Sequence, residues 1–312
     1  MRKRCLNTIH ELARRNKDVV FVGSDLGAGV LEDMKQELPG QFMMEGVSEQ
    51  HIVGMAAGLA MSGKIVYINT IAPFITRRCF EQNVIDLGLA KANVRLTGSG
   101  GGLVYAPLGP THLATDDIAI MRAIPNMTVI APADAEEMER VVRASETYAG
   151  PIYIRIAKGG DPVVSSPDHP FAIGEAVVHR DAGEVLFVTT GIMLARSLAA
   201  TESLRKSGIE AGVVHLHTIK PFDGETVLRA LGGARVVITL EEHTIVGGLG
   251  SAVAELIAEN IFIRTPLLQR LGIPDVFPDQ YGSQDSLLKR FGLDVESIVR
   301  RTEESLARTA KR

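Results

Sequence analysis

The sequence predicts an α/β fold: two three-layer α/β/α domains with mostly parallel sheets. Three observations lead there. Short β-branched runs alternate with longer helical patterns, which reads as a parallel sheet covered on both faces. The stretch "KGGDPVVSSPDHPFAIG", residues 158–174, is rich in Gly, Pro, Ser and Asp and lacks helical periodicity, so it reads as a linker. A second α/β run follows it, and 312 residues is a length for about two domains. The expected division is a first domain at 1–160, a linker at 161–174 and a second domain at 175–312.

The opening "MRKRCLNTIHELARRNKDVVFVG" is basic enough to be weighed as a targeting peptide. Leu6, Ile9, Leu12 and Ala13 form a helical stripe, Glu11 breaks the acid-poor rule of transit peptides, and the strand-like "VVFVG" follows at once. The opening is therefore read as the first structural helix. Strands are expected at 19–23, 64–69, 94–98, 127–131 and 151–156, with helices near 48–61, 75–91, 114–123 and 134–147. Ser48, Thr115 and Asp134 are candidate N-caps. After the linker come "EVLFVTTG", a helix near 192–207, "AGVVHLH", a helix near 223–231, "ARVVITLEEH" and a helix near 250–259. The halves are alike in architecture only.

Composition narrows the function. The chain is 46% hydrophobic and 22% charged, with a net charge of −4. No long basic run supports nucleic-acid or membrane-surface binding. No apolar run is long enough to span a bilayer. Cys5 and Cys79 form no CxxC pair, so a disulfide framework is not expected and a cytoplasmic setting is the default.

The informative residue is Glu49. It follows the cap candidate Ser48 and opens an apolar helix carrying Ile52, Met55, Ala56, Leu59 and Ala60. Helix N–H groups favour its ionised form, which alone is an ordinary structural explanation. Yet Gly46, Gly54 and Gly58 leave room for a close neighbour, and a buried carboxylate needs a partner or must hold a proton. Further along, "GSGGGLVYAPLGPTH" tempts a dinucleotide reading. The string is GxGGGL with no helix directly after it, so a flexible loop delivering His112 is preferred. "EEHTIVGGLG" places Glu241, Glu242 and His243 without metal-ligand spacing, and a structural loop is expected there. His215 and His217 alternate on a strand with no evident ligand partner.

Several segments resemble, in order, the thiamine-diphosphate enzymes of the transketolase type: "EGVSEQHIVGMAAGLAMSGK", "APFITRRCFEQ", "GPTH", "DIAIMRAIPNMTVIAPADAEEM" and "TIKPFD…VITLEEHTIVGGLGSAVAE". The resemblance covers nearly the whole chain. It implies a pyrimidine-binding domain at 1–160 and a transketolase C-terminal domain at 175–312. It matches Glu49 to the family's catalytic glutamate, which shares a proton with the cofactor's aminopyrimidine. Phe74 matches the aromatic residue that stacks on the pyrimidine. Ile71 stands where relatives have Phe or Tyr, able to touch the ring but not to stack. Asp25 matches an acidic residue near the cofactor, and His112 a histidine that contacts substrate oxygen.

Departures bear on substrate. Leu108 stands where relatives usually have an Asp that reads a sugar hydroxyl, and Leu113 replaces a common Gln. Lys158 stands where an Arg often binds substrate phosphate, and Gly29 where some relatives have a phosphate-binding Ser. Arg78 matches the Arg of a family "RAYEQ" segment, and either Arg78 or Arg77 could reach an anion. The family anchors diphosphate and Mg²⁺ through a "GDG…N" motif on a separate domain, which this sequence does not contain. The resemblance therefore implies the C-terminal subunit of a split transketolase. It would work as a heterotetramer with an N-terminal subunit that holds the diphosphate and Mg²⁺, and it would act on small sugar or sugar-phosphate substrates. Alternatives are the β subunit of a 2-oxoacid dehydrogenase E1, a deoxyxylulose-phosphate-synthase-like condensation, and a non-catalytic or regulatory partner that kept the fold.

Overall fold

Residues 1–24, 29–169 and 171–310 are described in the computed structural model. The chain opens with α1 (Arg2–Arg15), then β1 (Val19–Gly23), α2 (Glu32–Glu37), β2 (Phe42–Met44), α3 (Glu49–Met61) and β3 (Ile65–Ile71). Next come α4 (Ala72–Thr76), α5 (Phe80–Gln82), a π-helical turn at Asn83–Leu89, β4 (Val94–Ser99), α6 (Asp117–Ala123), β5 (Thr128–Ile130), α7 (Ala135–Ser145) and β6 (Ile152–Ile156). Beyond residue 174 lie β7 (Val177–Arg180), β8 (Val185–Thr189), α8 (Met193–Lys206), β9 (Ala211–His215), β10 (Thr218–Lys220) and α9 (Gly224–Leu231). The chain closes with β11 (Val236–Thr244), α10 (Leu249–Ala258), β12 (Leu267–Ile273), α11 (Gln284–Arg290) and α12 (Val295–Thr309).

The described strands form a seven-stranded sheet, β10-β5-β6-β4-β3-β1-β2, and a five-stranded sheet, β12-β11-β8-β9-β7. Pairing is parallel except β10 on β5 and β7 on β9. Why β1 is apolar on both of its faces is visible in its packing. Val19 and Phe21 enter one core and Val20 and Val22 the other, on opposite faces of one sheet. β8 repeats the division, with Val185 and Phe187 on one side and Leu186 and Val188 on the other. The α1 stripe is buried and packs on α7, so the basic N-terminal segment is a structural helix.

Three local expectations are corrected. Ser48 does precede α3, but its hydroxyl donates to Glu45 O at 3.3 Å and caps no helix N–H. The cap of α6 is Asp116 rather than Thr115. The helix expected over 75–91 is broken into α4, α5 and the π turn. At the break, the Asn83 amide donates to Ile75 O at 2.8 Å and satisfies a carbonyl that a continuous helix would have used. Asp134 caps α7 as expected, accepting from Glu136 N and Glu137 N. Among the described residues, no helix is long and apolar enough to cross a membrane.

Candidate active site

Glu49 is the first residue of α3, and it is 3% exposed. Its Oε2 accepts from Arg78 Nη1 at 2.7 Å. The Arg78 guanidinium carbon also lies 4.0 Å from the centre of the Phe74 ring. Phe74 in turn meets His112 edge-on, with ring centroids 5.2 Å apart. These four residues come from three places: the start of α3, the α4 region after β3, and the loop that follows β4. All lie beyond the C-terminal ends of parallel strands, where α/β sheets form ligand crevices.

Local bonds hold the arrangement. Gln50 Nε2 donates to Arg78 O at 3.0 Å, tying the arginine backbone to α3. Cys79 Sγ donates to Phe74 O at 3.2 Å. Burial, reinforced by the nearby Glu49 charge, pushes the Cys79 thiol up to about 12, so it is a packed thiol and not a nucleophile. Arg77 faces away from Arg78, toward Asp116 at 3.5 Å and Thr111 O at 3.4 Å. His112 Nδ1 is 2.9 Å from Thr111 Oγ1.

The loop carrying His112 is anchored at its base. Gly102 and Ala114 exchange backbone hydrogen bonds of 3.0 Å in both directions. Gly102 has φ +64°, and a Cβ there would lie 2.5 Å from Glu242 Oε2, so both backbone and space demand glycine. Under the loop runs a buried network that the sequence reading did not single out. Arg155 Nε donates to Asp117 Oδ2 at 2.8 Å, and Tyr153 OH donates to the same oxygen at 2.6 Å. The available signal was an arginine inside the apolar strand "IYIRI", since a buried charge requires a partner.

Other candidates lie outside this chain of contacts. Ile71 is half-buried at the end of β3 and is the N-cap of α4, three residues before Phe74. Leu108 is 49% exposed in the short turn before Gly109. Lys158 is exposed just after β6 and, among the described residues, makes no hydrogen bond or ion pair. Asp25 lies outside the described residues.

Of "EEHTIVGGLG", expected as a structural loop, the EEH residues form the buried end of strand β11, as the run "ARVVITLEEH" suggests, and the loop follows at 245–248. The three EEH side chains turn to different partners. Glu241 accepts the Leu249 and Gly250 N–H groups of α10, both at 2.8 Å. Glu242 accepts from Leu103 N at 3.0 Å, and His243 Nε2 accepts from Ala119 N at 3.2 Å. His215 has a partner after all: its Nε2 is 3.0 Å from Glu137 Oε2.

Comparison with known proteins places the chain. The profile of the transketolase pyrimidine binding domain matches residues 1–160, and that of the transketolase C-terminal domain matches residues 174–298. A putative transketolase C-terminal section from Methanocaldococcus jannaschii is 38% identical over 309 residues, covering 98% of this chain and 96% of that protein. A 6-deoxy-6-sulfo-D-fructose transketolase subunit from Clostridium sp. is 36% identical, covering 97% of this chain and 94% of that protein. A solved structure described as a split gene transketolase, an inactive beta4 tetramer, superposes with a TM-score of 0.88 at 34% identity, covering 98% of each chain. The chain belongs to the transketolase family, joining a pyrimidine-binding domain to a C-terminal domain.

Proposed function

We propose that this chain is the C-terminal subunit of a two-chain transketolase that moves a two-carbon ketol unit between sugar or sugar-phosphate substrates. The family depends on thiamine diphosphate. When bound, that group supplies the nucleophilic carbon of the transfer. The observation that carries the reading is the double engagement of Arg78. One planar cation donates to the Glu49 carboxylate at 2.7 Å and lies 4.0 Å over the Phe74 ring. A protonated aminopyrimidine asks for the same pair, a carboxylate for its ring N–H and an aromatic face for its plane. The residues present therefore fit the pyrimidine half of the cofactor.

In this reading Glu49 holds a proton at the aminopyrimidine ring nitrogen, Phe74 stacks on that ring, and Ile71 adds apolar contact. His112, beside Phe74, donates to or accepts from a substrate oxygen. Arg78 and Lys158 are candidate anion contacts, and Leu108 replaces a hydroxyl reader. Asp25 remains proposed as a residue near the cofactor. We assign the diphosphate and Mg²⁺ to an N-terminal partner subunit, with two copies of each chain in the working assembly. A cytoplasmic setting goes with two cysteines that are both free and buried.

The test is to purify the chain with a partner of the N-terminal transketolase type and supply a ketose donor and aldose acceptors. Ketol transfer with both chains, and none with either alone, is the expected result. Decarboxylation of a 2-oxo acid with transfer to a lipoyl acceptor would replace this reading with a dehydrogenase E1. A complex that holds the cofactor and carries out neither reaction would make the chain a non-catalytic partner.

A further inference from the structure

We propose that the end of strand β11, Glu242–Thr244, is the positioning element of His112, so that the C-terminal domain sets where the substrate-facing histidine stands. This rests on the reading of His112 given above. The argument begins with the two feet of the loop. At the first, Leu103 N donates to Glu242 Oε1 at 3.0 Å, and Gln284 Nε2 donates to the same oxygen at 2.7 Å. At the second, Thr244 N donates to Thr115 O at 2.8 Å, and one Arg155 nitrogen bridges Ala114 O at 3.0 Å and Glu242 O at 2.8 Å. His243 fixes the helix that follows by accepting the Ala119 N–H. With Nε2 accepting, the ring proton sits on Nδ1 and points to Thr244 O at 2.7 Å.

Between the feet the loop has little freedom of its own. Leu103, Ala106 and Leu113 are buried in the core that also contains Ile192 and Leu240 of the second domain. Short turns join Leu103 O to Ala106 N, Tyr105 O to Leu108 N, and Gly109 O to His112 N. At the tip, a Cβ on Gly109 would lie 2.8 Å from the Tyr281 ring, so the second domain also closes on the loop there. A shift of either foot is therefore carried to His112 and changes its contact with Phe74. The carboxylate of Glu242 is the most consequential single group. Without it, the buried Leu103 N–H loses its acceptor and Gln284 its partner.

The experiment uses the assembled two-chain complex with thiamine diphosphate and compares Glu242→Ala with Glu242→Gln. The glutamine keeps an oxygen for the Leu103 N–H. In Glu242→Ala, amide hydrogen exchange over residues 103–112 should accelerate while that of α3 stays unchanged. Its kcat should fall by roughly 10- to 100-fold, the scale of a misplaced catalytic group. Cofactor affinity, which depends on Glu49 and Phe74, should hold. Glu242→Gln should restore most of the rate and slow the exchange again. Unchanged exchange and kcat in Glu242→Ala would overturn the proposal. So would loss of cofactor affinity in step with kcat, because that marks general damage. If Glu242→Ala does not assemble, Gln284→Ala should give the same local exchange increase at smaller amplitude, and its absence would count against the proposal. A wild-type complex without ketol transfer would overturn the functional reading instead, and the exchange data would still test the clamp.

Discussion

Glu49 begins a helix with its carboxylate under the surface, matched by an arginine that approaches from the solvent side. The Arg78 hydrogen bond at 2.7 Å gives the buried carboxylate a partner, which is why burial of an acid is tolerated there. Replacing it with Gln preserves shape and hydrogen-bonding capacity but removes the carboxylate proposed to exchange a proton with the cofactor ring. Glu49→Gln should assemble and keep its circular dichroism, with kcat in the two-chain complex reduced at least ~10²-fold. Near-wild-type turnover would remove Glu49 from catalysis. Glu49, Phe74 and His112 could be named as candidates because each sits in a segment that resembles the family. Their mutual contacts were not legible, because Arg78 reaches Glu49 across 29 residues of sequence. Arg155 and Asp117 went unread for a related reason. A buried ion pair is specified by partners far apart in the chain, and only the charge within an apolar strand hints at it.

At the scale of elements, the regular strands were legible and the irregular pieces were not. Apolar β-branched runs report a doubly covered strand directly, as in β1 and β8. Nothing in "FEQNVIDLGLA" distinguishes a π turn from an α-helix, because both leave a similar apolar spacing. β10 is three residues long and pairs antiparallel with β5, some ninety residues earlier in the chain. A strand that short has no periodicity to read. The His112 loop illustrates the opposite error: its glycines suggested flexibility, but Tyr105, Arg155 and Glu242 fill the space where side chains would stand. Leu108 lies on the exposed part of that loop. Leu108→Asp would offer a hydroxyl acceptor there and should shift preference toward hydroxylated sugar phosphates. The scale is ~1–3 kcal/mol for a satisfied rather than unsatisfied polar group, or about one to two decades in relative kcat/KM. Specificity constants over a sugar-phosphate panel, taken with the melting temperature of the complex, give the answer. Unchanged ratios with a lowered melting temperature would mean that Leu108 packs and does not select.

Across the whole molecule, the two domains are joined by buried polar contacts as well as by shared core. Glu137 of α7 faces His215 of β9, and Arg140 reaches back to Ser166 O and His169 O in the linker. His179 stands 4.7 Å from His169 and 6.2 Å from His215, and His217 lies 6.2 Å from His215 and 4.4 Å from Phe171, measured between ring centroids. Burial, with the neighbouring His215, holds His179 at about 4, and burial likewise holds His217 at about 4. Burial works against the Glu137 charge, but His215 and His217 overcome it and bring the carboxylate to about 2. The two depressed histidines bind fewer protons folded than unfolded between their ordinary value and about 4, so their contribution is present above about pH 6.5 and is lost as pH falls. Glu137 adds a second loss below its ordinary range, toward pH 2. The melting temperature should therefore drop between pH 7 and pH 5, and His179→Gln should reduce that slope. An unaltered slope in the variant would place the pH dependence elsewhere.

The central claim is that this chain contributes one half of a thiamine-diphosphate site. Titration calorimetry with thiamine diphosphate and Mg²⁺, on the purified chain and on the chain combined with an N-terminal transketolase subunit, tests it most directly. Weak binding to the chain alone and tight, Mg²⁺-dependent binding to the combination is the expected result, because the candidate site offers a carboxylate and a ring while the sequence lacks the GDG…N motif that anchors diphosphate in the family. Tight Mg²⁺-dependent binding to the chain without any partner would contradict it.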